Sequence, residues 1–204
     1  DLQISFLKAS VANIVIPSDH AFLAAIYGIC RNYNIKYTLS GSNYATEGIL
    51  PKSWGYNAKD LKHLKAIQKR FGTKKLKTYP TLGLRKELFS TYVKKIKMVR
   101  LLNYVPYNKP KAMEIIQKEL DWVYYGGKHY ESIFTRFFQA YILPVKFNID
   151  KRRAHSSTMI CSGQITREEA LKEMEKPTYP EDLLASDKEY VIKKLGLTEA
   201  EFEE

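Results

Sequence analysis

The stretch from Tyr37 to Gly55, YTLSGSNYATEGILPKSWG, constrains this chain more than any other. Ile35, Tyr37 and Leu39 alternate with Lys36, Thr38 and Ser40, which predicts a strand with its apolar side turned to a core. The alternation breaks at Ser40-Gly41-Ser42-Asn43, a turn composition. A strand that ends this way delivers a loop to the carboxyl edge of a sheet, and in open α/β sheets ligands bind at that edge. The loop carries Asn43, Thr46, Glu47, Lys52 and Trp54. Connections this long are functional more often than idle; the competing reading is a surface excursion that only joins two elements.

The 204 residues allow one substantial core, or one domain with a helical appendage. At 45% hydrophobic and 13% aromatic the chain is globular in composition, and no clear repeat or low-complexity tract interrupts it. No apolar run approaches the ~20 residues of a membrane span, and the N-terminus has no signal-peptide pattern. Cys30 and Cys161 lie far apart without CxxC spacing, which fits a reduced cytoplasmic protein and gives no zinc signature. The net charge of +11 is concentrated: residues 59–111 carry +14, whereas the stretch from Arg167 onward is acidic. Such a block points to a local anionic partner: nucleic acid, an acidic protein surface or a phosphorylated small molecule.

Along the chain, Ser18 or Asp19 is placed to cap a helix over 20–33 with Phe22, Ile26, Ile29 and Tyr33 inward. Helix followed by strand suggests a parallel sheet of βαβ type. Asn57 is read as the cap of a helix burying Leu61, Leu64, Ile67 and Phe71. Lys75–Leu82 alternates like a short strand, a helix follows over 84–98, and 99–104 suits a strand or an extended crossing. Further helices are expected over 109–120 and over 130–143, the latter stopped by Pro144. Three capping boxes, Thr166/Glu169, Ser186/Glu189 and Thr198/Glu201, predict three short helices at the end. The expected division is an α/β part over 1–105 and a helical region over 106–204 that completes a substrate site.

Three clusters could carry chemistry. One is the loop with Asn43, Thr46 and Glu47. Another is Gly126-Gly127-Lys128-His129-Tyr130-Glu131, where a glycine turn feeds titratable side chains to a helix start; it suits a phosphate or carboxylate, or is a plain helix start. The last is Asp150-Lys151-Arg152-Arg153-Ala154-His155 with Ser156-Ser157-Thr158, a phosphate clamp or a solvated basic turn. The four histidines are not spaced as a ligand set, and no GxSxG, HExxH or Walker-type glycine loop is present.

Taken together, SGSNYATEGILPKSWGYNAKDLKHLKAIQKRFGTKKLKTYPTL, LLNYVPYNK and YGGKHYESIFTRFFQAYILPVKFNIDKRRAHSSTMICSGQITREEAL resemble the N-acetyl sugar amidotransferases of bacterial surface-polysaccharide biosynthesis. Those enzymes belong to the PP-loop ATP pyrophosphatase group. The resemblance implies a partial Rossmann-like, adenine nucleotide α-hydrolase-like parallel sheet with a helical C-terminal region. It implies ATP-dependent conversion of an acetamido to an acetamidino group on an N-acetyl sugar, nucleotide-linked or a nonulosonic acid, in LPS or O-antigen synthesis. ATP with Mg2+ and ammonia from a glutaminase-type subunit are implied with it. Mapped by position, Ser40, Gly41, Asn43 and Glu47, with Lys151, Arg152 and Arg153, fall to the nucleotide. Lys128, His129, Glu131 and Trp54 fall to the sugar. The SGGxDS-like loop of the group is missing, so the chain is expected to correspond to the C-terminal portion of such an enzyme. A nucleic-acid-binding or tRNA-modifying PP-loop relative, using the basic 59–111 segment, is the alternative.

Overall fold

The structure, a computed structural model, describes residues 1–127 and 130–204. In chain order it contains helices α1 (Leu2–Lys8) and α2 (Ile16–Asn32), strand β1 (Tyr37–Ser40), helices α3 (Tyr44–Glu47), α4 (Leu61–Phe71) and α5 (Leu84–Leu88), and strand β2 (Lys97–Arg100). Helices α6 (Lys109–Leu120), α7 (Ile133–Phe137), α8 (Leu143–Phe147) and α9 (Lys151–Cys161) follow, then α10 (Arg167–Glu175), α11 (Glu181–Leu195) and α12 (Glu199–Glu203). The protein is α/β but mostly helical, and its sheet among the described residues is one parallel pair, Tyr37 opposite Lys97 through Ser40 opposite Arg100. Among the described residues no helix is long and apolar enough to cross a membrane. The chain divides into two compact units, one formed by 1–42 and 52–104, the other by 43–51 and 105–204.

In the first unit, Ala24, Tyr27 and Cys30 of α2 meet Leu82 and Ile96. This is a different helix face from the expected one: Phe22, Ile29 and Tyr33 are exposed, and His20, with Ile16 and Pro17, is buried instead. The physical reason is His20. Its Nδ1 donates to the Ala58 carbonyl (2.7 Å) and its Nε2 accepts the Leu82 N–H (3.1 Å), so one ring satisfies two backbone groups that have no ladder partner. The helix also starts earlier than expected, because Pro17 sits in the first turn, where its missing N–H costs nothing.

Residues 75–82 form no strand. Tyr79 is tied by its hydroxyl to the Pro17 carbonyl (2.6 Å) and Leu82 by His20, and Pro80 cannot donate to a ladder. The strand 37–40 is present, but Tyr37 (65% exposed) and Leu39 (73%) lie on an open face rather than in a core. Asp60, not Asn57, caps α4, accepting from Lys62 and His63 N–H groups, while Asn57 accepts from Lys59. Asp1 accepts from the backbone of Thr73 and Lys74, which holds the turn after α4 against α1.

The second unit is helical. Pro144 does not end the expected 130–143 helix, which starts at Ile133 and continues to Phe147. The wide π turn over Phe138–Ile142 has already shifted the backbone bonding when the proline arrives, and the same widening lets the consecutive Phe137 and Phe138 both be buried. A similar π turn, Phe89–Val93, shortens the helix expected over 84–98. Thr166/Glu169 and Thr198/Glu201 form full capping boxes; Ser186 instead lies inside α11 and donates back to Leu183. Arg136 of α7 and the Tyr179 hydroxyl both donate to Asp187 of α11, a pair whose side chains are only 12% and 7% exposed.

Tyr79 supplies a test of the first unit. Burial pushes its phenol up from 10.0 to about 12. The unfolded chain would ionise there near 10 while the folded one keeps the proton, so the stabilisation is intact below 10 and declines as pH rises from 10 towards 12. Urea midpoints measured across that range are expected to fall, and Tyr79→Phe is expected to flatten the fall.

Candidate functional site

The second unit contains a cavity of about 480 Å3, within the size of small-molecule sites. One wall is the loop singled out by sequence. Asn43 caps its single helical turn, its Oδ1 accepting from the N–H (2.9 Å) and the hydroxyl (3.1 Å) of Thr46. That turn is too short to satisfy its own backbone, and α9 completes it. His155 Nδ1 donates to the Thr46 carbonyl (3.0 Å), the Thr158 hydroxyl accepts from Ile49 N–H (3.1 Å), and Ser162 donates to the Ala45 carbonyl (2.7 Å). Positions 155, 158 and 162 share one helix face, so a polar stripe of α9 clamps 45–49 and holds Glu47 at the cavity.

Lys109, at the start of α6, also lines the cavity, and its N–H is fixed by Gln164 Oε1 (2.9 Å). Burial lowers the basicity of its ammonium group, and the Glu47 carboxylate nearby partly restores it. Burial first, then Glu47, raises the Tyr107 phenol. Tyr124 and Tyr130 add aromatic surface; Tyr124 stacks with Tyr125 at 6.0 Å. Gly126 (φ 92°) has a left-handed backbone, and a Cβ on Gly127 would meet the Tyr130 ring at 2.8 Å, so this turn needs both glycines.

The basic run splits. Lys151 and Arg152 line the cavity, whereas Arg153 is exposed away from it. Arg152 is a strut: its guanidinium grips the Asp150 carboxylate (2.8 Å) and donates to the carbonyls of Glu173 (3.1 Å) and Lys176 (2.9 Å) behind α10. Asp150 also caps α9, accepting from Arg152 N–H (2.9 Å), so a carboxylate already occupies the helix end where a phosphate would sit.

Of the other expected site residues, Glu47 lies with Lys151 and Arg152 on this cavity, and Asn43 acts through its cap. Ser40, Gly41 and Trp54 belong to the first unit; Ser40 and Ser42 hydroxyls pair at 2.9 Å. Glu131 lies near Tyr125, whose phenol is raised by burial and then by the Glu131 charge. Lys128 and His129 lie outside the described residues. Lys109, Tyr124 and Gln139 on the cavity carried no sequence signal as site residues. The run 150–158, read as a phosphate clamp or a solvated basic turn, is instead the cap and first turns of helix α9, and Ser162 at its end carried no sequence signal.

Arg152→Ala is expected to cost the second unit about 1.5 kcal/mol, because it takes the guanidinium from a partly buried carboxylate, which keeps the residue-152 N–H, and from two exposed carbonyls. Arg152→Lys, a point donor that cannot fork, is expected to recover only part of that loss in a denaturation series.

Residues 131–204 match the family model of the WbpG-like LPS biosynthesis protein, C-terminal domain. No curated protein and no solved structure matches the chain. The matched stretch contains α7–α12, α9 of the cavity wall among them, and it is this part that is similar to the C-terminal domain of WbpG-like LPS biosynthesis proteins.

Proposed function

We propose that the chain takes part in LPS or related surface-glycan biosynthesis as the sugar-binding portion of an ATP-dependent N-acetyl sugar amidotransferase. The likeness of 131–204 to a WbpG-like LPS biosynthesis domain supports the pathway. The make-up of the cavity carries the assignment of the sugar side. Arg152 is neutralised by Asp150, and Glu173 pairs with Lys176 (2.6 Å). Glu47, Lys109, Lys151 and His155 line it too, beside the hydroxyls of Tyr124, Tyr130 and Ser156. This nearly balanced, hydroxyl-rich and aromatic lining suits a polyhydroxylated acetamido ring.

It does not suit a triphosphate, which would meet Glu47 and the capped end of α9 and find two lysines to hold it. ATP with Mg2+ is therefore assigned to a site outside this cavity, on a Rossmann-like sheet to which β1 and β2 would belong, and ammonia to a glutaminase-type partner. The reaction replaces the acetamido oxygen by nitrogen, ATP taking up that oxygen in AMP.

A second reading has its own observation. Lys62, Lys65, Lys69 and Arg70 are all exposed on α4, a basic face fit for an RNA backbone. One assay separates the two. Joined to a PP-loop-bearing N-terminal segment and supplied with ATP, Mg2+ and ammonia, the chain is expected to form AMP only when an N-acetyl sugar is added. Lys109→Met is expected to lower kcat/KM about tenfold or more. AMP formation that depends on tRNA instead would establish the second reading, and none with any acceptor would reject the first.

A further inference from the structure

The positive charge of the chain belongs to its first unit, which has 18 Lys/Arg against Asp1, Asp19, Asp60 and Glu87, whereas the second has 15 against 18. Between Asp60 and Glu87 the sequence has nine cations and no acidic residue. Asp60 is committed to the α4 cap and Glu87 to Lys59 (2.6 Å), and Asp1 accepts from the N–H groups of Thr73 and Lys74 (3.2 Å).

Seven of those nine cations are exposed on α4 and the turn after it. Helix α4 buries Leu64, Ile67 and Gln68, which leaves Lys62, Lys65, Lys69 and Arg70 within an outward arc of about 140°. Gln68 donates to the Lys74 carbonyl (2.7 Å) while Asp1 holds its N–H, so the turn carrying Lys74, Lys75 and Lys77 is fixed at the end of the helix. Among the described residues none of the seven makes an ion pair with a carboxylate. The charges are held in place by backbone hydrogen bonds and are not neutralised by the fold.

The layout favours a broad anionic surface over a discrete ligand. Lys62 and Lys69 stand about 10 Å apart along the helix axis, too far for one phosphate to bridge. Beside its cations the arc carries only Ala66, so it offers no ring on which the bases of a single strand could stack. The deep, narrow major groove of duplex RNA does not admit a helix. A bilayer asks for neither feature, and a cluster of about four to eight Lys/Arg is what its anionic headgroups attract.

We infer that the exposed face of α4, with the turn 73–77, docks the protein on an anionic phospholipid surface. The contact is electrostatic and peripheral, because the apolar side of α4 stays in the core of its own unit. The inference goes beyond the sugar-binding reading and does not rest on it, so sugar-dependent AMP formation and lipid binding can each fail alone.

The test is sedimentation of the full chain with vesicles of phosphatidylglycerol mixed with phosphatidylcholine, and of phosphatidylcholine alone. Binding is expected to the first only, and to fall as added salt shortens the screening length. Replacing Lys62, Lys65 and Lys69 together by Gln is expected to weaken it about a hundredfold. The same change at exposed Lys118, Lys146 and Lys193 of the second unit removes equal charge and is expected to cost less than about threefold. Lys74, Lys75 and Lys77 changed to Gln lie outside the helix and are expected to repeat the large loss, with circular dichroism showing that each variant is folded. Equal binding to both lipids, none to either, or equal losses in the two units would overturn the docking surface. So would release by inorganic phosphate beyond that of sodium chloride at the same ionic strength, which marks a discrete anion site. Single-stranded or duplex RNA that binds more tightly than the vesicles at the same salt would overturn it in favour of a nucleic-acid partner.

Discussion

The second unit depends on backbone groups that no regular element satisfies. Segment 43–51 makes a single helical turn, which cannot satisfy the carbonyls and N–H groups around it from within. The α9 stripe of His155, Thr158 and Ser162 supplies the partners, and Thr158 does so while also donating to the Ala154 carbonyl (2.9 Å). A helix that spends one face on hydrogen bonding rather than on apolar packing has a low hydrophobic contrast. That trade makes sense where a loop must be held in one conformation and not merely covered.

A second pattern is that cations close on the protein itself. Arg152 ties Asp150 to the carbonyls behind α10, and Arg136 with Tyr179 closes on Asp187. Arg136 also lies over the Tyr130 ring at 5.0 Å, so the wall that includes Tyr130 is supported from outside the cavity. Such buried pairs add little net stability, but removing one partner strands the other. Lys109 and Lys151 are lysines on the same cavity.

The sequence was legible where local rules act alone. The two capping boxes at Thr166 and Thr198 and the 37–40 strand follow from short-range chemistry. Burial was harder. His20 displaced Phe22 and Ile29 from the core because two backbone groups needed a partner, and no periodicity encodes that. Both π turns rotate the residues after them relative to an ideal helix, so the stop expected at Pro144 failed. At the cavity, Glu47 and Lys151 stood in recognisable clusters. Lys109 did not, since a lysine opening a helix looks like any other until tertiary packing half-buries it.

The open side of the β1–β2 pair has a bearing on how the molecule behaves in solution. Tyr37 and Leu39 form an adhesive patch, yet Lys36, Lys97 and Arg100 are exposed around the same two strands. Two copies approaching through this face would bring like charges together before the aromatic and aliphatic groups could touch. The barrier is electrostatic and fades as ionic strength shortens the screening length. Dispersion of the protein is thus set by the medium as much as by the fold: dilute electrolyte keeps molecules apart, and concentrated salt lets them cohere.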